Sequence, residues 1–206
     1  AVAGKPAVHT HTMATTMKMM SSSSMRAQPR AARSQTRMMA AQKGSTMKSF
    51  SLPSTKGGRT KVPAKNGSVV FFFNKSDTPG CKAEADTFDE LYSEFSKKGV
   101  QVVGISMEEV EALKESNAGR KVELLSDADG AISEQFDSEL KVPLIGAKLG
   151  FSARNTFLLS NKGEVLSVWQ EGKNMGNVKN GKHAAQVLDS VAENIKSSNP
   201  LVSLFG

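Results

Sequence analysis

Cysteine is almost absent from this chain, which has 206 residues and one cysteine, Cys81. A single cysteine excludes an internal disulfide, a Cys-x-x-Cys redox pair and a cysteine-rich zinc site. Histidine is also scarce, and two of the three histidines, His9 and His11, precede every strand and helix that the sequence predicts. We therefore expect neither a histidine metal site nor a Cys-His dyad, and we predict no metal and no bound cofactor.

Acidic residues are missing from the first 76 residues, which carry 13 Lys and Arg. Residues 77–206 hold the other 14 basic residues and all 20 acidic ones. The basic part is rich in Ser, Thr, Met and Ala, a composition typical of an organelle transit peptide. The alternative is an arm that binds nucleic acid. The sequence favours targeting, because residues 1–45 have no aromatic side chain for base stacking and no dense Lys/Arg cluster.

Long apolar runs are also missing from residues 1–45, which therefore hold no secretory signal or membrane span. These residues show no hydrophobic periodicity, so we expect a disordered targeting segment there. A single domain is predicted over residues 46–197, followed by a flexible tail over 198–206. The many Ser and Thr residues favour import into a plastid over import into a mitochondrion. No membrane span is expected in the chain.

After these absences, regular alternation of strands and helices is the main pattern of the chain. Strands are predicted at 50–53, 68–74, 100–106, 121–125, 154–160 and 165–170. Helices are predicted from the turn at Cys81 to about residue 98, and at 108–116, 131–136 and 181–195. Residues 54–67 are predicted as polar turns and 139–153 as a long loop. This order predicts an α/β layered sandwich with a mixed central sheet flanked by helices.

Cys81 is predicted to lie where the first core strand turns into a helix. Thr78 is a candidate N-cap, and Pro79 suits the first helical position because its missing N–H is not needed there. Free backbone N–H groups and the positive end of the helix dipole favour a thiolate at this position. A thiolate there is a candidate nucleophile. The alternative is a buried, unreactive cysteine.

Several motifs together resemble one known family. These are Thr78-Pro79-Gly80-Cys81 with Glu84, Leu124-Leu125-Ser126-Asp127, and Arg154-Asn155-Thr156-Phe157-Leu158-Leu159. They resemble peroxiredoxin Q, the plant and algal relative of the bacterioferritin comigratory protein, over roughly residues 47–196. The resemblance implies a thioredoxin-like fold, reduction of hydrogen peroxide and alkyl hydroperoxides without metal or cofactor, and a monomer.

The resemblance also implies a role for each residue of the motif. Cys81 would be the peroxidatic cysteine, whose thiolate attacks the peroxide and becomes a sulfenic acid. Thr78 would orient the peroxide, and Arg154 would stabilise the thiolate and the charge that develops as the O–O bond breaks. Gly80 would help to bind the substrate, and Glu84 would support the site. Taken singly, Thr78 could be only a cap, Arg154 only a surface charge and Glu84 only a solvated helix charge.

Two positions depart from the family pattern. Asn74 stands where the family usually has a proline that shields the sulfur, and Asp86 stands where many members have a resolving cysteine. The sequence therefore indicates a one-cysteine form that an outside thiol reduces, with thioredoxin, glutaredoxin and glutathione as the candidates. One alternative is a non-enzymatic redox sensor or relay that acts through mixed disulfides of Cys81. Another is a thioredoxin-like domain with a degenerate site.

Overall fold

A computed structural model describes residue 1, residues 41–141 and residues 146–195 of the chain. The targeting segment predicted before residue 41 and the tail predicted from residue 198 lie outside the described residues. The strands are β1 (Phe50–Pro53), β2 (Arg59–Val62), β3 (Ser68–Phe72), β4 (Gln101–Ser106), β5 (Glu123–Ser126), β6 (Glu139–Lys141), β7 (Lys148–Ser152), β8 (Asn155–Leu159) and β9 (Val165–Gln170). The helices are α1 (Pro79–Glu90), α2 (Tyr92–Lys97), α3 (Val110–Ser116), α4 (Ala131–Gln135) and α5 (Lys182–Asn194), with a 3₁₀ helix at Val178–Asn180.

The central sheet has five strands in the order β5-β4-β3-β8-β9. Strands β3, β4 and β5 are parallel, whereas β8 pairs antiparallel with both β3 and β9. All five residues of β3 are buried, as expected for an apolar strand that is covered on both faces. This mixed sheet, flanked by helices, confirms the predicted fold class.

Alternating side chains of β3 supply two separate cores. Val69 and Phe71 point to the face covered by α1 and α5, where the ring of Phe71 stacks on Phe88 of α1 at 4.7 Å between centroids. Because both rings are fully buried, this contact holds α1 firmly against the strand that leads into it. The end of β3 and the start of α1 are therefore fixed relative to each other.

The opposite face of the sheet is covered by a hairpin, by α4 and by the residues before β1. Val70 and Phe72 pack there with Leu52, Val62 and Phe136. The hairpin consists of β1 and β2, which pair antiparallel. The prediction that residues 54–67 contain only polar turns was therefore wrong. The sequence Arg-Thr-Lys-Val has one buried side chain and no hydrophobic period, so only its pairing with β1 makes it a strand.

Two other predicted boundaries differ from the structure. The stretch 139–153 is not a long loop, since β6 and β7 form an antiparallel pair within its described part. The strand β7 is mostly exposed and contains Gly150, so its composition indicated a loop although pairing makes it a strand. The helix predicted up to residue 98 is divided at Leu91, whose ψ of 3° separates α1 from α2.

Residues that precede the predicted domain boundary at residue 46 also pack into the domain. Ala41 is buried in the second core, and the backbone N–H of Gly44 donates to the carbonyl of Val165 at 2.8 Å. Met47 is buried beside them. No helix among the described residues is both long and apolar enough to cross a lipid bilayer.

Candidate active site

Cys81 lies in the first turn of α1 and is buried, with 2% of its surface exposed. Thr78 occupies the N-cap position in an extended conformation, and Pro79 begins the helix, both as predicted. Within the described residues, however, the Thr78 side chain makes no capping bond to the helix. Its hydroxyl donates instead to the carbonyl of Lys75 at 2.9 Å. The thiol therefore shares the helix N-terminus with backbone N–H groups that the Thr78 hydroxyl does not occupy.

The loop between β3 and α1 is held by the carboxylate of Glu108, a residue that no motif in the sequence indicated. Glu108 accepts from the backbone N–H of Ser76 at 2.7 Å and from the Ser76 hydroxyl at 3.0 Å. It also accepts from the hydroxyl of Ser106, at the end of β4, at 3.0 Å. Because β4 lies beside β3, these bonds fix the chain just ahead of Cys81.

Arg154 lies directly against the sulfur, although 73 residues separate it from Cys81 in sequence. Its Nη2 atom donates to Cys81 Sγ at 3.2 Å. The reason is the topology of the sheet. Strand β8 runs antiparallel to β3, with Thr156 opposite Phe71, so the residue just before β8 lies beside the end of β3. The Arg154 side chain is only 15% exposed, and it is not the free surface charge that was the alternative interpretation.

Two acidic side chains hold the remaining edges of the Arg154 guanidinium. Nε donates to Glu84 Oε2 at 3.1 Å, and Nη1 pairs with Glu171. Burial lowers the pKa of Arg154, but the hydrogen bond to Cys81 and the charges of Glu84, Cys81 and Glu171 raise it, and the net direction is upward. The guanidinium is therefore charged, and its plane is held in place against the sulfur by the two acids.

Glu171 could have been predicted as a site residue only if the register of β8 and β9 had been known. It follows β9, and its backbone N–H donates to the carbonyl of Arg154 at 3.1 Å. Counting back from the pair Leu159–Val165 would place Gln170 opposite Arg154. A bulge between Leu158 and Leu159 shifts the register by one residue, so Glu171 takes that place.

Glu84 is fully buried, which rules out the alternative of a solvated helix charge. Burial raises the pKa of Glu84 to about 8, although Arg154 lowers it, and Glu171 adds to the upward shift. Only Oε2 is engaged, since Oε1 has no hydrogen-bond partner among the described residues. At neutral pH the carboxyl is therefore mainly protonated.

His183, on the inner face of α5, faces the free oxygen of Glu84. Its Nε2 lies 4.0 Å from Glu84 Oε1 and 2.8 Å from the hydroxyl of Thr156 on β8. The ring is fully buried and lies edge-to-face with Phe88 and Trp169. Burial lowers the pKa of His183 to about 4, so the ring is neutral at physiological pH. No sequence signal distinguished this histidine from an ordinary core residue of a helix.

Two surface pockets adjoin the Arg154–Glu171 pair. One, of about 350 Å³, is lined in part by Asn74, Ser152 and Asn155. The other, of about 330 Å³, is lined in part by Gly80 and Lys179. A Cβ atom on Gly80 would come within 3.2 Å of Arg154 Nη2, so glycine lets the guanidinium lie against the helix. Asn74 contributes a polar side chain to the wall of the first pocket, where the family usually has proline.

Asp86, at the position of the usual resolving cysteine, lies on the outer face of α1. Its carboxylate accepts from Arg120 Nε at 2.7 Å. One turn further on, Asp89 accepts from the backbone N–H of Val122 at 2.8 Å. Both bonds join α1 to the connection between α3 and β5. Among the described residues, no group of three or more His, Cys, Asp or Glu side chains is placed to hold a metal ion.

The chain is similar to known proteins in its family match, its sequence and its fold. Residues 43–168 match the model of the AhpC/TSA family. The chain is 31% identical to peroxiredoxin Bcp of Xanthomonas campestris over 153 residues, which is 71% of this chain and 92% of the relative. It is 30% identical to the chloroplastic peroxiredoxin Q of Oryza sativa subsp. japonica over 131 residues, which is 62% of this chain and 58% of the relative.

A solved structure of the Xanthomonas campestris bacterioferritin comigratory protein superimposes with a TM-score of 0.62 at 30% identity, covering 71% of this chain and 92% of that one. Fold, family match and sequence identity over most of the relative's length point the same way. The chain belongs to the AhpC/TSA family, within the group of thiol-dependent peroxidases named Bcp and peroxiredoxin Q.

Proposed function

We propose that this chain is a one-cysteine thiol peroxidase in which Cys81 reduces hydroperoxides. The observation that carries the proposal is the contact of 3.2 Å between Arg154 Nη2 and Cys81 Sγ. The sulfur is buried at a helix N-terminus, beside a guanidinium that Glu84 and Glu171 orient. Both features stabilise a thiolate relative to a thiol, and the thiolate is the reactive form of cysteine.

The reaction is a two-electron oxidation of the sulfur. The thiolate attacks the terminal oxygen of the peroxide, an S–O bond forms, and the O–O bond breaks to release hydroxide or an alkoxide. Arg154 donates hydrogen bonds to the sulfur and to the oxygen that takes up charge. Thr78, half-buried three residues before Cys81, orients the peroxide, and Gly80 lines the pocket beside the guanidinium that receives it.

Alkyl hydroperoxides are proposed as substrates alongside hydrogen peroxide. The support is twofold. The related bacterioferritin comigratory protein of Xanthomonas campestris has an alkyl peroxide reduction activity. The two surface pockets beside Arg154 have volumes of about 350 and 330 Å³, which is enough space for an alkyl group.

Regeneration of the thiol is proposed to need an external thiol, because Cys81 is the one cysteine of the sequence. A reductant attacks the sulfenic acid, releases water and forms a mixed disulfide, which a second thiol then resolves. Thioredoxin, glutaredoxin and glutathione are the candidates, and a monomer suffices for this chemistry. We also propose import into a plastid. The composition of residues 1–45 and the chloroplastic rice relative support that location.

Steady turnover is the test of the proposed function. Purified protein should consume hydrogen peroxide and an alkyl hydroperoxide in the presence of one of the three thiols, and Cys81→Ser should abolish this. Arg154→Ala should slow Cys81 oxidation by about 10²- to 10³-fold, the loss typical for an oxyanion donor, with a much smaller change in melting temperature. Oxidation of Cys81 without turnover by any thiol would instead indicate the redox relay. An Arg154→Ala variant with full activity would make the arginine a bystander.

A further inference from the structure

The guanidinium of Arg154 contacts both the carboxyl of Glu84 and the reactive sulfur of Cys81. Arg154 donates to Cys81 Sγ at 3.2 Å from Nη2 and to Glu84 Oε2 at 3.1 Å from Nε. Any change in the charge on the sulfur therefore changes the field at Glu84 through a group that contacts both. At these distances, and with Glu84 and Cys81 both buried, such coupling is strong.

The surroundings of Glu84 favour the protonated form while the sulfur is charged. Besides Arg154, the titratable groups that face this carboxyl are His183 from α5 and, through Arg154, Cys81 on α1 and Glu171 after β9. His183 is buried and neutral, so it supplies no positive charge. Lys179 lines the pocket beyond Glu171 rather than the buried side of the carboxyl. One guanidinium thus faces three potential anions.

The oxygen that can carry the proton is identified by its hydrogen bonding. Glu84 Oε2 accepts from Arg154, whereas Oε1 has no partner within the described residues and points towards Nε2 of His183. His183 Nδ1 is likewise buried without a partner there. A buried carboxylate oxygen without a donor is costly, but a protonated one costs less because it carries no full charge.

We propose that Glu84 stores the proton that peroxide reduction consumes, and releases it when Cys81 loses its negative charge. This inference rests on the proposed function. Attack by the thiolate makes a neutral sulfenic acid and leaves hydroxide or alkoxide, which needs one proton to become water or alcohol. The O–H bond of Glu84 breaks to supply that proton. The negative charge lost at Cys81 then reappears at Glu84, so the net charge of the buried site is unchanged.

The cycle closes when the sulfur returns to the thiolate. An external thiol converts the sulfenic acid into a mixed disulfide with release of water, and a second thiol displaces Cys81 as a thiolate. The thiol proton freed in that last step returns to Glu84. Glu84 acts here through Arg154, by electrostatic coupling, so it is a positioning and proton-storing residue rather than one that touches the peroxide.

Proton counting in a single turnover tests this proposal. The reduced protein is mixed with hydrogen peroxide in weak buffer containing an indicator dye, without reductant, and the fraction of Cys81 present as thiolate is read from ultraviolet absorbance. Wild-type protein at pH 7 should oxidise with almost no proton uptake. Glu84→Gln should take up protons in proportion to its thiolate fraction, because the amide keeps the acceptor for Arg154 but carries no exchangeable acid proton.

Two further measurements make the test specific. Glu171→Gln, which removes the exposed acid on the same guanidinium, should keep the low proton uptake of the wild type. The infrared difference spectrum of the wild type should lose a protonated carboxyl band on oxidation, and this loss should be missing in Glu84→Gln. The infrared measurement needs no variant, so it holds even if Glu84→Gln folds poorly.

The possible results separate the inference from the proposed function. If peroxide does not oxidise Cys81 at all, the proposed function is wrong. If it oxidises Cys81 with full proton uptake in the wild type, or with no change in the carboxyl band, only the proton store is overturned. A wild-type Cys81 that shows no thiolate absorbance removes the charge that Glu84 would balance, and this too overturns it.

Discussion

At the scale of single residues, Gly80 sets the distance between α1 and the guanidinium. An added Cβ would approach Arg154 Nη2 to 3.2 Å, closer than most such contacts. Gly80→Ala should therefore displace the arginine by a few tenths of an ångström and slow Cys81 oxidation by roughly tenfold, since misplacement by 1 Å costs about 10²-fold. Alanine is also a better helix former by about 0.5–1 kcal/mol. Stopped-flow oxidation and thermal melting should thus show a slower enzyme that is no less stable. Unchanged kinetics would indicate that Arg154 moves freely.

Also at this scale, the buried acid predicts how stability depends on pH. The pKa of Glu84 is raised from 4.5 to about 8 in the folded protein. The stability that the protonated carboxyl contributes is therefore fully present below pH 4.5 and is lost as pH rises through about 8. In urea titrations, Glu84→Gln should gain on the wild type across this range, by on the order of a few kcal/mol. Glu111→Gln, which alters an exposed carboxylate paired with Lys114 on α3, is the control and should stay parallel to the wild type. A pH-independent difference for Glu84→Gln would mean that Glu84 is ionised when buried.

At the scale of the element, the question is whether α1 stays folded when Cys81 is oxidised. Five residues along a helix correspond to about 7.5 Å of rise and about 140° of rotation, and a disulfide needs Cα atoms within about 7 Å. A cysteine at position 86 could therefore reach Cys81 only if α1 unwinds. In this chain Asp86 and Asp89 join α1 to residues 120–122. The sequence has no second cysteine whose disulfide would stabilise an unwound helix. We expect the sulfenic acid to persist until an external thiol arrives, or to be over-oxidised by excess peroxide.

The variant Asp86→Cys tests this expectation, because it supplies a second thiol and removes the bond to Arg120. Mass spectrometry after peroxide should show the loss of two protons in place of added oxygen, and thioredoxin should then sustain turnover. Asp86→Ser is the matched control, since it breaks the same bond without adding a thiol and should still gain oxygen. If Asp86→Cys forms no internal disulfide, the remaining contacts of α1, with Asp89 and Phe88 foremost, are enough to keep it folded.

At the scale of the whole molecule, the folded domain should be separable from the segment before it. Among residues 41–141 and 146–195, burial in the domain begins at Ala41, so a protein that starts there should melt at the same temperature as the full chain and keep its turnover. A start at residue 48 removes buried Met47 and the bridge between Thr46 and Glu164. That should cost about 2 kcal/mol and lower Tm by roughly 4–8 °C. Equal melting of both shortened proteins would show that residues 41–47 are not part of the domain.

The proposed plastid location also concerns the whole molecule. Residues 1–45, with a start codon added, should direct a fluorescent reporter to the plastid of a plant or algal cell. A segment in which the arginines at 26, 30, 33 and 37 are replaced by glutamate is the control and should leave the reporter outside, because transit peptides are poor in acidic residues. Accumulation of the unaltered fusion in the nucleus would favour the nucleic-acid-binding interpretation instead.

Features that depend on local pattern could be predicted from the sequence alone. Three such features are the buried strand before Cys81, the proline at the first helical position and the apolar face of α5. Each depends on neighbours within a few residues, so the sequence pattern predicts it. The one-cysteine chemistry follows from composition alone. The motif with Thr78, Cys81 and Arg154 identified the family and, through it, the fold.

Features that depend on strand pairing and burial could be seen only in the folded protein. Strand β2 has no hydrophobic period and β7 is mostly exposed, so both are strands because a partner strand supplies their hydrogen bonds. Glu171 reaches Arg154 because a bulge shifts the β8–β9 register by one residue. Glu84 and His183 look like an ordinary helix acid and an ordinary core histidine in sequence. In the fold Glu84 is fully buried against Arg154 and His183 is fully buried beside Thr156 of β8, and burial raises the pKa of an acid so that it stays protonated at neutral pH.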